Sequence, residues 1–132
     1  MNYLLDTHTL IWTITEKNRL SNTVRRALEN ADNLFFVSSI TYWEIALKFS
    51  TGKLKLLGFF PDDILSLSVE SGFQLISLSP DESATYHKLK VTNHKDPFDR
   101  MLIWQALQQD LVFITSDKAI SEYKEAGLKI LW

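Results

Sequence analysis

The sequence predicts an α/β protein with a mostly parallel, five-stranded sheet covered by helices on both faces. Short apolar runs alternate with longer segments of helical spacing, the pattern of strand and crossover helix in a parallel sheet. Helix boundaries carry their own chemistry: Pro61, Pro80 and Pro97 stand where first turns begin, and Gly72 and Gly127 follow the ends of helical segments. At 132 residues, 45% of them apolar, the chain can bury one sizeable core but not two, so a single domain spanning 1–132 is expected.

Strands are expected at 3–5, 34–37, 73–76, 111–114 and 128–131, each an apolar run such as Leu34-Phe35-Phe36-Val37 that suits burial on both faces. Helices are expected at 9–15, 21–30, 39–50, 61–71, 80–89, 97–109 and 118–126. The stretch 51–60, Thr-Gly-Lys-Leu-Lys-Leu-Leu-Gly-Phe-Phe, is too apolar for an idle loop. It is expected to close the core, with an exposed patch for a partner as the alternative.

The chain has no cysteine, which removes disulfides and thiolate metal sites and fits a reducing compartment. Asp6 interrupts what would be a signal peptide's apolar segment, and no run approaches the roughly twenty apolar residues that span a bilayer. A cytoplasmic protein is expected. A formal net charge of -2 gives no global attraction to nucleic acid, so any such contact is local. Two basic neighbourhoods offer one: Lys48, Lys53 and Lys55, and then Lys88, Lys90, His94 and Lys95.

Carboxylates recur where strands stop and helices begin: Asp6, then Asp96 with Asp99, then Asp117, with Glu44 inside a helix. Each has a local explanation. Asp96 before Pro97 has the form of a helix cap, Asp99 stands where a side chain can reach back to that cap, and Asp117 also precedes a helix. Glu44 is four residues from Lys48 and can pair with it. Taken together the positions say more, because Glu44 lies in Ile40-Thr41-Tyr42-Trp43-Glu44-Ile45-Ala46-Leu47, a helix apolar around most of its circumference. Buried carboxylates need a compensating charge, and in α/β proteins the carboxyl ends of strands are where ligands bind. Several carboxylates on that rim would repel one another, with some pKa values raised, unless a cation joined them.

Oxygen donors favour Mg²⁺ or Mn²⁺, and no glycine-rich phosphate loop or zinc spacing competes, since His8, His87 and His94 are far apart. A hard cation held by two or three carboxylates activates water and stabilises the oxygens of an in-line displacement, so phosphodiester hydrolysis is the first functional expectation.

Four segments in this order resemble the PIN-domain ribonucleases, in particular the VapC-type toxins of bacterial toxin–antitoxin pairs. They are Leu4-Leu5-Asp6-Thr7-His8, Ser38-Ser39-Ile40-Thr41-Tyr42-Trp43-Glu44-Ile45, His94-Lys95-Asp96-Pro97-Phe98-Asp99-Arg100-Met101-Leu102, and Thr115-Ser116-Asp117. The His-x-Asp-Pro-Phe-Asp-Arg run is the most specific. The resemblance implies a three-layer α/β/α sandwich that binds Mg²⁺ or Mn²⁺ and cleaves RNA, leaving a 5′-phosphate and a 3′-hydroxyl. It implies Asp6, Glu44, Asp99 and Asp117 as the catalytic and metal-binding set, with Asp6 and Asp99 as direct ligands and Glu44 and Asp117 binding metal or orienting water. Asp96, Thr115 and Arg100 are accessory candidates; Arg100 stands where many relatives have a small residue, and pairing with Asp96 or with an RNA phosphate is expected of it. A cognate antitoxin lying across the groove and a homodimer are the implied partners, with Tyr42, Trp43, Phe59, Phe60 and Trp104 as apolar anchors.

Two other readings share the composition. A catalytically inactive PIN-like interaction module would retain the carboxylates as caps. A phosphoacceptor signalling domain would require an aspartate at the end of its middle strand; with 73–76 taken as that strand, Ser77-Leu78-Ser79 supplies none.

Overall fold

The computed structural model describes residues 1–90 and 92–132. Five strands, β1 (Asn2–Leu5), β2 (Leu34–Ser38), β3 (Gln74–Ile76), β4 (Val112–Ile114) and β5 (Ile130–Leu131), form one sheet in the order β3-β2-β1-β4-β5, and every pairing is parallel. Around it lie α1 (Thr7–Thr15), α2 (Asn22–Glu29), α3 (Ser39–Ser50), α4 (Pro61–Glu70), α5 (Pro80–Thr85) and α6 (Pro97–Gln109). Three 3₁₀ segments, Lys17–Arg19, Tyr86–Lys88 and Lys118–Ala126, complete the elements among the described residues.

Alternate residues of the central strands separate two cores, as the period-two geometry of a strand requires. Tyr3 and Leu5 pack with Val37, Val112 and Ile114 against Leu10, Val24, Ile45 and Ile64. Leu4 and Phe113 face the other way, onto Leu102, Ile103, Ile120 and Tyr123. The three-layer α/β/α sandwich follows from that division.

Strand order corrects one sequence expectation. The strand near 73–76 is an edge strand with mostly exposed residues, and β1 is central. Ser77-Leu78-Ser79 therefore has no bearing on the phosphoacceptor reading: the strand it follows is not central, and the central strand is followed by an aspartate, Asp6. Two helices also differ: 80–89 is a short α-helix continued by a 3₁₀ turn, and 118–126 is 3₁₀ rather than α. The stretch 51–60 does both things expected of it. Leu56 is buried in the first core, whereas Leu57 and Phe60 remain exposed.

The chain runs from β1 outward to β3, then returns to place β4 on the other side of β1. The point of reversal lies between β1 and β4, the place where open parallel sheets bind ligands at their carboxyl ends. Asp6 leaves β1 there, and Thr115, Ser116 and Asp117 leave β4 beside it; the Asp6 amide donates to the Ile114 carbonyl at 3.0 Å.

Candidate active site

Three aspartates cap three helical starts that meet on this rim. Asp6 accepts from the Thr9 amide at 2.7 Å, Asp96 from the Asp99 amide at 3.0 Å, and Asp117 from the Ala119 amide at 2.9 Å. The capping explanation is thus correct for each, Asp6 included, and it coexists with convergence. A cap uses one carboxylate oxygen and leaves the other available to a further partner.

Asp99 does not reach back to its helix cap. Its carboxylate faces His94, whose Nε2 lies 3.1 Å away. One ligand atom each from His94, Asp99 and Asp117 fall within 4.8 Å of one another, and Asp117 is the exposed member. Burial, and then the charges of Asp96, Glu44 and Asp6, push the Asp99 carboxyl up to about 7, with His94 acting in the opposite direction. The three carboxylates come from three separate parts of the chain: the β1–α1 junction, α3 and the cap of α6. Asp6, 6% exposed, is also raised by burial, an effect that Thr115 and Thr9 partly offset.

Glu44 is buried on the inner side, where the Thr7 hydroxyl donates to Oε1 at 2.6 Å. Its other oxygen forms the ion pair with Lys48 that the four-residue spacing allows. Against the desolvation that would lower it, Glu44, Asp96 and Asp99 hold the Lys48 ammonium above its ordinary range. Lys48 therefore supplies part of the positive charge that this acidic cluster needs. Thr115 is buried, and its Oγ1 accepts from the Asp117 amide at 3.1 Å, tying the β4 terminus into the site.

Arg100 departs from both contacts expected of it. It turns away from Asp96 into the second core: Nε donates to the Tyr86 hydroxyl at 2.8 Å, Nη1 to the Tyr123 hydroxyl at 2.8 Å and the Lys90 carbonyl at 3.2 Å, and Nη2 to the Leu89 carbonyl at 3.4 Å. Only 9% exposed, it is not placed to meet a phosphate. Its role is to fasten the loop before α6, because the Tyr123 hydroxyl it holds also donates to the His94 carbonyl at 3.1 Å. The aromatic anchors also divide. Trp104 is buried, with Nε1 donating to Thr85, and Tyr42 packs on the core, whereas Trp43 and Phe60 are exposed.

Residues 3–126 match the PIN domain family. The chain belongs to that family. A curated relative, Ribonuclease VapC22 of Mycobacterium tuberculosis, is 25% identical over 129 residues, covering 98% of this chain and 97% of that protein. VapBC2 from Rickettsia felis, solved bound to a DNA fragment from their promoter, superposes with a TM-score of 0.68 at 21% identity over 100% of this chain and 99% of that one. DNA-bound VapBC from Salmonella typhimurium gives 0.65, also at 21%, over 99% and 97%. At these identities the structural likeness establishes the PIN fold.

The donor set suits the divalent ion on which PIN nucleases generally depend. Its members are carboxylate oxygens with one imidazole, and the raised Asp99 and Asp6 carboxyls mark a place where added positive charge would be stabilising. His94 and Lys48 both contact acidic residues of this cluster; the sequence grouped them with basic neighbourhoods and gave Lys48 only as a partner for Glu44. The signal for His94 was its place in the His-x-Asp-Pro-Phe-Asp-Arg run, which outweighs its lysine neighbours.

Proposed function

We propose that this chain is a Mg²⁺- or Mn²⁺-dependent endoribonuclease, the toxin of a toxin–antitoxin pair, with Asp6, Glu44, Asp99 and Asp117 as its acidic site. The observation that carries the reading is geometric: Asp99 and Asp117, from separate elements, bring carboxylate oxygens within 4.8 Å of each other and of a His94 ring nitrogen, and burial with the charges of Asp96, Glu44 and Asp6 pushes the Asp99 carboxyl up to about 7. A structural cap has no reason to accumulate such repulsion. It persists where a cation relieves it in use.

Asp6, Asp99 and Asp117 would hold the ion, with Glu44 balancing charge from the buried side. A bound divalent ion supplies a Lewis acid for the phosphoryl oxygens and lowers the pKa of water. The protein's own groups do the placing. Thr9 fixes the Asp6 carboxylate and Thr7 fixes Glu44, so neither needs to reorganise when substrate arrives. Asp117, on the open side, would help to orient the attacking water, and the products would be a 5′-phosphate and a 3′-hydroxyl.

RNA as substrate is supported by PIN membership and by the ribonuclease among its relatives. A cognate antitoxin is supported by the VapBC complexes that share the fold, and the exposed Trp43 and Phe60 suit contacts with it or with a second copy in a homodimer. Among the described residues no helix is long and apolar enough to cross a membrane. An RNA substrate would place the proposed activity in the cytoplasm.

Purified protein incubated with end-labelled RNAs, with Mn²⁺ or with chelator, tests the proposal. Cleavage is expected only with the metal and is expected to be lost in Asp6→Asn. Cleavage in chelator, or an undiminished Asp6→Asn, would refute the mechanism, and no cleavage with or without Mn²⁺ would favour an inactive interaction module.

A further inference from the structure

Beside the acidic cluster a groove of about 500 Å³ runs along α1, its lining including His8, Trp12, Glu16, Arg19, Lys55 and Asp117. One end is therefore a residue of the active site itself. The groove has an aromatic wall: His8 and Trp12, one helical turn apart, have ring centroids 5.9 Å apart, and Trp132 meets Trp12 edge-on at 5.9 Å. The Arg19 guanidinium lies 4.3 Å from the Trp12 ring centroid. Lys55 adds a second cation, and the one acidic residue besides Asp117, Glu16, stands 3.9 Å from Arg19.

An apolar peptide would want a greasy trough, and the groove lined by Phe49 and residues 54–60 is of that kind. The Trp12 groove instead combines flat rings, a guanidinium plane and a lysine. Unstacked bases bind such surfaces, with phosphates drawn to the cations. The overall charge of -2 makes a local device of this kind necessary if RNA is to be held at all.

We propose that the Trp12 groove is a nucleobase subsite: the base of a nucleotide beside the cleaved phosphodiester displaces the exposed Arg19 guanidinium from the Trp12 ring and is held between the two, and Lys55 meets the adjoining phosphate. The proposal rests on the ribonuclease reading above. Because every base has a stacking face, the subsite supplies affinity and register rather than base identity.

The test uses the full chain and a short single-stranded RNA that the wild type cleaves with Mn²⁺. Binding is measured by anisotropy in chelator, and KM by cleavage. Base stacking on an aromatic is worth about 1–3 kcal/mol, so Trp12→Ala is expected to weaken binding and raise KM about tenfold, while Trp12→Phe recovers most of the loss. Arg19→Ala and Lys55→Ala, at the surface, are each expected to weaken binding several-fold and to lessen its salt dependence. They carry the test if Trp12→Ala does not fold.

An abasic residue is then placed at each nucleotide flanking the cleaved bond. At one position it is expected to cost the wild type about tenfold and Trp12→Ala almost nothing further. Equal abasic penalties in both proteins would overturn the subsite, as would unchanged RNA binding in Trp12→Ala, Arg19→Ala and Lys55→Ala. Variants that lose only antitoxin binding would also overturn it, since the groove would then be a protein contact. A wild type that cleaves no RNA with Mn²⁺ would instead remove the ribonuclease reading itself.

Discussion

His94 Nε2 lies 3.1 Å from the Asp99 carboxylate, inside the acidic cluster rather than on the basic surface its lysine neighbours suggested. That contact joins the loop before α6 to the rim of the sheet, and it makes the cluster sensitive to both pH and loop position.

Stability of the metal-free protein is expected to fall as pH rises. Asp99 keeps its proton up to about 7 when folded and up to about 3.8 when unfolded, so between those values the native state binds more protons. Asp6, also raised, acts in the same sense. Melting in chelator measures the trend. A melting temperature that climbs steadily across this window would contradict the coupled cluster.

Removing the lysine partner of Glu44 is expected to weaken the fold and strengthen the cation site. Lys48→Met leaves Glu44 buried with Thr7 alone, at a cost of about 1–2 kcal/mol given that Lys48 is one-third exposed. It also removes a positive charge that competes with a metal. Chemical denaturation in chelator should show the loss, and Mn²⁺ calorimetry a several-fold tighter ion; weaker Mn²⁺ binding would mean that Lys48 organises the site instead.

Asp96 is separable into a cap and a charge. Asp96→Asn retains a good cap for α6, so the fold is expected to stand. Loss of the charge is expected to lower the Asp99 pKa from about 7, observable by NMR titration of the carboxyl. An unmoved Asp99 would show that the neighbouring charge is not felt.

Arg100 is expected to affect the site through its loop. Lysine cannot make its four hydrogen bonds to Tyr86, Tyr123 and the carbonyls of Leu89 and Lys90, so Arg100→Lys should cost about 2 kcal/mol. The His94 loop is then less firmly held, and Mn²⁺ affinity should fall about tenfold, the size of effect seen for groups that orient metal ligands. Tyr123→Phe, which cuts the link to the His94 carbonyl, should reproduce the affinity loss; full Mn²⁺ affinity in both variants would limit Arg100 to packing.

The strands were legible because each is a short apolar run between turn and cap signals, and the caps because Asp96-Pro97 and Asp117 carry local chemistry. Strand order was not, since nothing within 73–76 says that it pairs on one side only. The inward turn of Arg100 depends on Tyr86 and Tyr123, which are 14 and 23 residues away. His94 was hidden for a similar reason: a loop histidine among lysines reads as surface until the loop's path is known. Glu44 with Lys48 was legible, because helical spacing alone brings them together.

Calorimetric titration of the metal-free protein with Mn²⁺, for the wild type, Asp6→Asn and Asp99→Asn, tests the cluster most directly. A saturable, chelator-reversible isotherm is expected for the wild type, weakened at least about tenfold in each variant. The same isotherm in all three proteins, or none in the wild type, would contradict a shared cation site at the junction of β1 and β4.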